Sequence, residues 1–197
     1  MRSARVTACA LVIAVLASCR TVPQKAIGPG ADAPWPAQRS ALESLDRYSL
    51  DGRVAVAANG QGFSASLRYA QIVARTELSL DGPLGIGGLR VKADGEHLEI
   101  ATSRGEHLDG AEARSELERR LGFALPIEQL RWWMLGIPAP GESVVNALDS
   151  GEIRDFTQAG WRVSINARSP GLGFSLPQKL TAERDGARLK LLVERWR

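Results

Sequence analysis

The chain has 197 residues, of which 44% are hydrophobic and 24% are charged, and its formal net charge is +3. This length corresponds to one ordinary domain with a sizeable core. The 25 basic residues, less Arg2 and Arg5 of the leader described below, nearly balance the 22 acidic ones. The basic residues are scattered and no nucleic-acid-binding motif is present, so we expect no nucleic-acid partner.

Residues 1–18 predict a lipoprotein signal peptide. Arg2 and Arg5 precede an apolar stretch at 6–16 that is too short to span a bilayer as a mature helix. The stretch ends in Leu-Ala-Ser-Cys19, which resembles the bacterial lipobox. That resemblance implies cleavage before Cys19 and covalent N-acyl and S-diacylglycerol groups on it, with no other cofactor. The alternative is an ordinary secretory peptide with an unmodified cysteine. Cys9 leaves in either case, so no intrachain disulfide is expected.

Residues 19–36 predict a lipidated, flexible tether. Four prolines and no apolar periodicity occupy residues 20–36, which is typical of an extended linker. Arg20 follows the cysteine directly, and this position commonly carries aspartate in lipoproteins retained in the inner membrane. Arginine there permits outer-membrane localisation. We expect residues 37–197 to form a single domain.

The predicted elements of that domain begin with a helix, because Ala37, Ala41, Leu45 and Tyr48 are spaced to share one face. Apolar and polar residues then alternate, which predicts half-buried strands. The alternating stretches are 63–69, 77–81, 89–94, 97–100, 161–166 and 188–194. Short glycine-containing turns separate most of them, which favours consecutive hairpins and a meander that curls toward a barrel.

Two helices interrupt the strands in the middle of the chain. Ala113, Leu117 and Leu121 are four residues apart, and a further helix is predicted to begin at Pro126 and end at Gly136. We therefore expect a mainly β fold: an incomplete, unclosed antiparallel β-barrel covered by α-helices. Its interior is either a packed core or a cavity for an apolar ligand.

No motif for covalent or metal chemistry is present. His97 lies on the polar side of a strand and His107 lies beside a turn, so both are interpreted as surface residues. The sequence contains no metal-binding histidine pair, nucleophile elbow or phosphate-binding loop. We predict that the protein is not an enzyme.

An ordered set of short motifs resembles the outer-membrane lipoprotein receptor family LolB. The set is DGRVAV (51–56), FSASLRY (63–69), LSLDGPLG (78–85), LGFALP (121–126), LRWWMLGIP (130–138), QAGWRVSI (158–165), LPQKL (176–180) and ERW (194–196). The resemblance implies an unclosed barrel with a helical lid, similar to the periplasmic carrier LolA. It also implies that lipoproteins are accepted from a LolA-like carrier, held by their acyl chains and inserted into the outer membrane. We expect a monomer, lipid-anchored on the periplasmic face of that membrane.

The resemblance also implies a membrane-insertion loop. Family members carry a hydrophobic residue after a proline, in a loop between two strands, that is needed to deliver cargo. Leu84 in GPLG matches that position, and Ile86 is a further apolar residue beside it. Inserting one leucine side chain into lipid contributes roughly 1.5–3 kcal/mol, which suffices for brief contact but not for anchoring. The alternative is that Leu84 folds back onto the barrel.

Candidate residues for an acyl-chain cavity are the apolar sides of the strands and the third helix. They are Val54, Val56, Phe63, Leu67, Leu78, Leu80, Leu89, Val91, Trp132, Trp133, Met134, Trp161 and Val163. Trp132 and Trp133 cannot share one helix face, so one is expected to point inward and the other outward. The alternatives are that these residues are plain core, or that the protein is a lipid-binding or structural outer-membrane lipoprotein with different cargo. A cell-wall hydrolase is disfavoured because no acid–base motif is visible.

Overall fold

A computed structural model describes residues 26–82 and 88–197. Cys19, Leu84 and Ile86 lie outside the described residues, so their predicted roles stay predictions. The described elements are α1 Trp35–Ser44, β1 Arg47–Ala58, β2 Gln61–Ile72, β3 Arg75–Asp81, β4 Leu89–Asp94, β5 His97–Thr102, β6 His107–Asp109, α2 Gly110–Leu121, α3 Ile127–Met134, β7 Val144–Ala147, β8 Ile153–Gln158, β9 Trp161–Gly171, β10 Phe174–Arg184 and β11 Ala187–Trp196. None of the described helices is long and apolar enough to cross a membrane.

All the described strands belong to one antiparallel sheet that does not close. Its order is β6-β5-β4-β3-β2-β1-β11-β10-β9-β8-β7, so that only the pairing of β1 with β11 joins strands distant in sequence. The two edge strands, β6 and β7, are the ones connected through α2 and α3. The helical insertion therefore runs from one open edge of the curved sheet to the other, and the predicted unclosed barrel with helices is confirmed.

The alternation that predicts the strands also determines which side of the sheet is buried. In β1, Tyr48, Leu50 and Val56 are buried, whereas Arg47 and Arg53 are exposed. α2 and α3 bury Leu117, Leu121, Leu130 and Trp133 against this concave side. Gly122 lies in the left-handed region at φ 81° and ends α2, because its N–H donates to the carbonyl of Glu118.

Part of the predicted tether packs on the sheet. The N–H groups of Ile27 and Gly28 donate to the Leu172 carbonyl at 2.8 Å, and that of Gly30 donates to Gly173 at 2.9 Å. Gly28 fits because a Cβ there would lie 2.4 Å from the Gly173 carbonyl oxygen. We call residues 27–34 the strap. The structure therefore differs from a tether that is flexible as far as residue 36.

The strap is secured by α1, which follows it. Trp35 is 6% exposed and lies 4.7 Å from the Arg168 guanidinium, which stacks over its ring. The Gln38 amide donates to the carbonyls of Ala31 and Ala33 and accepts from the N–H of Ser175. Glu152 pairs with Arg168 at 2.7 Å, and burial lowers the pKa of Arg168. The end of the sheet that carries the β9–β10 turn is therefore closed by the chain's amino-terminal part.

Candidate functional site: an apolar cavity beneath the helices

An apolar cavity lies between the concave side of the sheet and the helices. Its volume is about 80 Å³. The sheet contributes residues from β1, β2, β3, β4, β10 and β11, which are consecutive neighbours in the sheet. The lining residues are Val54, Val56, Leu67, Thr76, Leu78, Leu80, Val91, Leu117, Leu121, Leu125, Ile127, Leu130, Trp133, Met134, Leu180, Ala182, Leu189 and Leu191. A cavity lined in this way stays dry and takes apolar ligands.

Thr76 is the one polar side chain among these lining residues, and it is satisfied within the protein. Its hydroxyl donates to Gln71 Oε1 at 2.8 Å, and Tyr69 donates to the same oxygen at 2.8 Å. Gln71 in turn donates to the carbonyl of Val73. No polar group of this cluster is left to attract water or a charged ligand into the cavity.

One end of the concave side is filled by aromatic rings. Tyr48 stacks on Tyr69 with ring centroids 5.8 Å apart, and Trp196 lies 6.0 Å from Tyr48. Burial raises the pKa of Tyr69 to about 12 and that of Tyr48 well above its ordinary value. These rings lie toward the β2–β3 turn, whereas most of the strand residues that line the cavity lie toward the β1–β2 and β10–β11 turns.

The third helix is held in its C-terminal half and just beyond it. The Tyr48 hydroxyl donates to the Arg131 carbonyl, and the Arg131 guanidinium reaches the Leu45 carbonyl at 3.4 Å. Gln158, which is 7% exposed, accepts from Trp133 Nε1 and from the N–H of Ala139, and it donates to the Ala139 carbonyl, each at 2.9 Å. Sequence reasoning missed Gln158, because a polar residue at a strand end is normally interpreted as exposed.

Eight of the thirteen predicted cavity residues line the cavity. They are Val54, Val56, Leu67, Leu78, Leu80, Val91, Trp133 and Met134. Their role in holding acyl chains is not tested by their position and stays a prediction. Period-two alternation placed the six strand residues on the concave side, helical spacing placed the two residues of α3, and the cavity adds residues of α2, β10 and β11 that the prediction did not include.

The other five predicted residues do not line the cavity. Phe63 lies on the concave side of β2 but is 40% exposed near the strand end, where nothing covers it. Leu89 is buried at the start of β4, beside the lining residue Leu80, but does not itself line the void. Trp132 is half-buried on the outer side of α3, with Arg131 stacked 5.0 Å from its ring.

Trp161 and Val163 are fully buried, because aromatic side chains fill that side of the half-barrel. Phe123 contacts the Trp161 ring edge-on at 5.1 Å, and Trp133 contacts Phe156 at 6.2 Å. These residues form solid core between β8, β9 and the helices. The observed cavity therefore does not extend to β9, although the prediction included Trp161 and Val163.

No arrangement for metal or acid–base chemistry occurs within residues 26–82 and 88–197. No group of three His, Cys, Asp or Glu side chains there could hold a metal ion. His97 and Glu99 form an exposed pair at 3.1 Å. In this part of the chain the cavity is therefore the feature best suited to bind a ligand.

The comparison with known families decides the classification. A family model described as outer membrane lipoprotein LolB matches residues 46–196. The chain belongs to the LolB family. A protein named outer-membrane lipoprotein LolB from Nitrosococcus oceani is 28% identical over 198 residues, covering 100% of this chain and 98% of that protein. One from Stutzerimonas stutzeri is 30% identical and covers 92% and 90%. The resemblance found in the sequence is confirmed.

Solved structures support the fold. A LolA superfamily protein from Nitrosomonas europaea matches with a TM-score of 0.51 at 10% identity, over 78% of this chain and 86% of that one. A DUF1329 family protein from Desulfovibrio piger matches with a TM-score of 0.50 at 6% identity, over 80% and 88%. At these identities the likeness concerns the fold of this chain alone.

Proposed function

We propose that this protein is a lipid-anchored receptor on the periplasmic face of the outer membrane. It accepts lipoproteins from a LolA-like carrier, holds their acyl chains in the cavity beneath α2 and α3, and inserts them into the membrane without covalent chemistry. Cys19 carries the anchoring acyl groups, since two or more chains give a stable anchor. The observation that carries this proposal is an apolar cavity on the concave side of a LolB-family sheet.

The size of the cavity indicates that the described conformation is closed. Pockets that enclose a drug-sized ligand have volumes of roughly 300–1,000 Å³, and this one has about 80 Å³. A lipoprotein carries more than one acyl chain, so part of the helical cover must separate from the sheet before cargo enters. Closure returns the lining side chains to contact with each other, which favours release when a better apolar environment is near.

Transfer of this kind runs downhill. Acyl chains must prefer this cavity to that of the carrier and prefer the bilayer to this cavity. Opening the protein's own core costs free energy, and this cost offsets part of the free energy gained by burying the acyl chains. This gives the intermediate affinity that the sequence of transfers requires.

Uptake of a fluorescent fatty-acyl probe by the full chain tests the cavity. We expect saturable uptake that cargo lipoprotein displaces. A protein that takes up no probe, even where the helices are free to move, contradicts the proposal. Probe uptake without acceptance of lipoprotein from a LolA-like carrier instead supports a lipid-binding lipoprotein with different cargo.

Delivery into liposomes tests the predicted insertion loop separately. We expect Leu84→Glu to keep probe uptake and acceptance from the carrier but to abolish delivery, because a carboxylate opposes insertion into lipid. Leu84→Met is the matched control and should deliver normally. Ile86→Glu reports whether the second apolar residue contributes. Normal delivery by Leu84→Glu removes Leu84 from the mechanism.

A further inference from the structure

Exposed apolar side chains concentrate at one end of the sheet. This end carries the strap and the β2–β3, β7–β8 and β9–β10 turns, which antiparallel topology places together, and we call it the strap end. Of the seven exposed large hydrophobic residues in the described part of the chain, four lie here: Ile27, Ile72, Val73 and Leu148, which are 40–49% exposed. They come from three separate segments, so no single loop accounts for them.

The β2–β3 turn keeps an apolar residue where the backbone disfavours one. Val73 has φ 58°, a left-handed conformation that is strained for a β-branched side chain and is normally taken by Gly or Asn. Its side chain is 44% exposed, so packing within the protein does not explain the choice. An exposed valine kept at this cost to stability is an observation that a contact outside the chain would explain.

Basic residues flank this tip. In the sheet register Ile72 lies between Arg47 on β1 and Arg75 on β3, and all three are exposed on the outer side. Arg75 is 3.8 Å from Asp94, a long contact between two exposed groups, and Arg47 has no ion pair among the described residues. Apolar side chains bordered by arginine are typical of surfaces that lie at an anionic membrane interface.

The strap limits how far this end can be from the membrane. Ile27 is bound to the β9–β10 turn, and eight Cα–Cα steps separate it from Cys19. At roughly 3.3–3.6 Å for each residue, a lipidated Cys19 lies within about 30 Å of that turn. The strap end is therefore the part of the domain that covalent geometry holds next to the bilayer.

We propose that the strap end is a membrane-resting surface, on which Ile27, Ile72, Val73 and Leu148 contact the headgroup region of an anionic bilayer. This inference rests on the proposed lipidation of Cys19. The cavity lies toward the opposite end of the sheet, so the resting protein presents its cavity to a carrier that arrives from the periplasm. β3 and β4, which flank residues 83–87, also meet toward that opposite end. Contact of that opposite end with the bilayer requires the domain to reorient on its tether.

Two exposed aspartates at opposite ends provide matched positions for a test. Asp149 lies in the β7–β8 turn at the strap end, and Asp185 lies in the β10–β11 turn at the other. Asp149→Cys and Asp185→Cys are labelled with an environment-sensitive fluorophore in the full lipidated chain, in which Cys19 is acylated. The protein is reconstituted in phosphatidylethanolamine–phosphatidylglycerol vesicles that contain a quencher-labelled lipid. We expect severalfold stronger quenching at position 149.

Variants of the surface complete the experiment. In the Asp149→Cys protein, Ile72→Ser with Val73→Asn should reduce quenching at least twofold, and asparagine suits φ 58° so that the fold is retained. Phe63→Ser, which changes a residue that is also 40% exposed but lies near the other end, should leave quenching unchanged. Equal quenching at both ends, or stronger quenching at 185, overturns the proposal.

The same measurement separates this inference from the proposed function. Quenching is read without cargo, whereas probe uptake and delivery are read without labelled variants. Normal delivery with no difference between positions 149 and 185 rejects the resting surface and leaves the receptor intact. Persistence of the difference in high salt assigns the contact to the apolar side chains, as proposed, whereas its loss in high salt assigns the contact to the arginines and overturns the role of the apolar side chains.

Discussion

Filling the cavity should stabilise the protein and reduce acyl binding together. Ala182 on β10 is 3% exposed and lines the void, so Ala182→Leu places three additional carbon atoms in it. At roughly 24 cal/mol per Å³ of cavity, a void of 80 Å³ corresponds to about 2 kcal/mol. The substitution can therefore raise the free energy of unfolding by up to about 2 kcal/mol, less any strain of the new side chain.

Thermal unfolding and probe titration measure the two effects. For a chain of this size each kcal/mol shifts Tm by roughly 2–4 °C, so we expect Tm to rise by several degrees. Binding of the fatty-acyl probe should weaken in the same variant, because the added leucine occupies volume that the acyl chain needs.

The matched control is Ala113→Leu on α2. Ala113 is also alanine, is fully buried and does not line the void, so the same change there should overpack the core and destabilise by roughly 1–3 kcal/mol. A rise in Tm for Ala182→Leu with unchanged probe affinity would show that acyl chains bind elsewhere. A fall in Tm equal to that of Ala113→Leu would show that the void is not present in solution.

Two further predictions concern the polar groups that surround the cavity. Gln158→Leu leaves Trp133 Nε1 and the Ala139 N–H and carbonyl without their partners, so urea unfolding should show a loss of more than about 2 kcal/mol, whereas the exposed Gln61→Leu should change stability little. The chain has two tyrosines, and burial raises the pKa of Tyr69 to about 12. The raised pKa means that keeping these tyrosines protonated in the folded protein contributes to the free energy of unfolding. This contribution is fully present below pH ~10 and should be lost as the pH rises toward 12, because the unfolded chain releases the tyrosine protons first. Tyrosinate absorbance should then appear only with unfolding, and its appearance near pH 10 in a folded protein contradicts the burial.

The sequence predicts which side of the sheet each strand residue faces, but not whether that residue lines the void or is packed in the core. Alternation correctly places Leu67, Leu78 and Val91 on the concave side, where they line the void. It places Leu89 and Val163 on the same side, and both are solid core. Period-two patterning carries no information about where helices from another part of the chain leave space, so the position of a cavity depends on tertiary packing.

The strap shows a second limit of sequence reasoning. Glycine and proline in residues 27–34 resemble a linker by composition. Gly28 serves instead for close approach to Gly173 and Phe174, and Gln38 and Trp35 fix the segment to β10 and Arg168. β7 has no alternation because all four of its residues are exposed at the sheet edge. The strap depends on contacts with residues more than a hundred positions away, and β7 depends on its place at the edge of the sheet. Neither property is encoded in the local sequence.

The attachments of the helices indicate which part of the lid opens. α3 is held in its C-terminal half, where the Tyr48 hydroxyl donates to the Arg131 carbonyl and Gln158 accepts from Trp133 Nε1, and the Tyr48 and Gln158 side chains are both buried. The link between α2 and α3 is held across the far end by Asn59 Nδ2, which donates to the Gly122 carbonyl at 3.1 Å in an exposed position. An exposed hydrogen bond exchanges with water at little cost, whereas a buried one leaves unsatisfied groups. Opening should therefore begin at the 122–126 connection and carry Leu117, Leu121 and Leu125 away from the sheet, while α3 stays in place as the fixed wall of the acyl site.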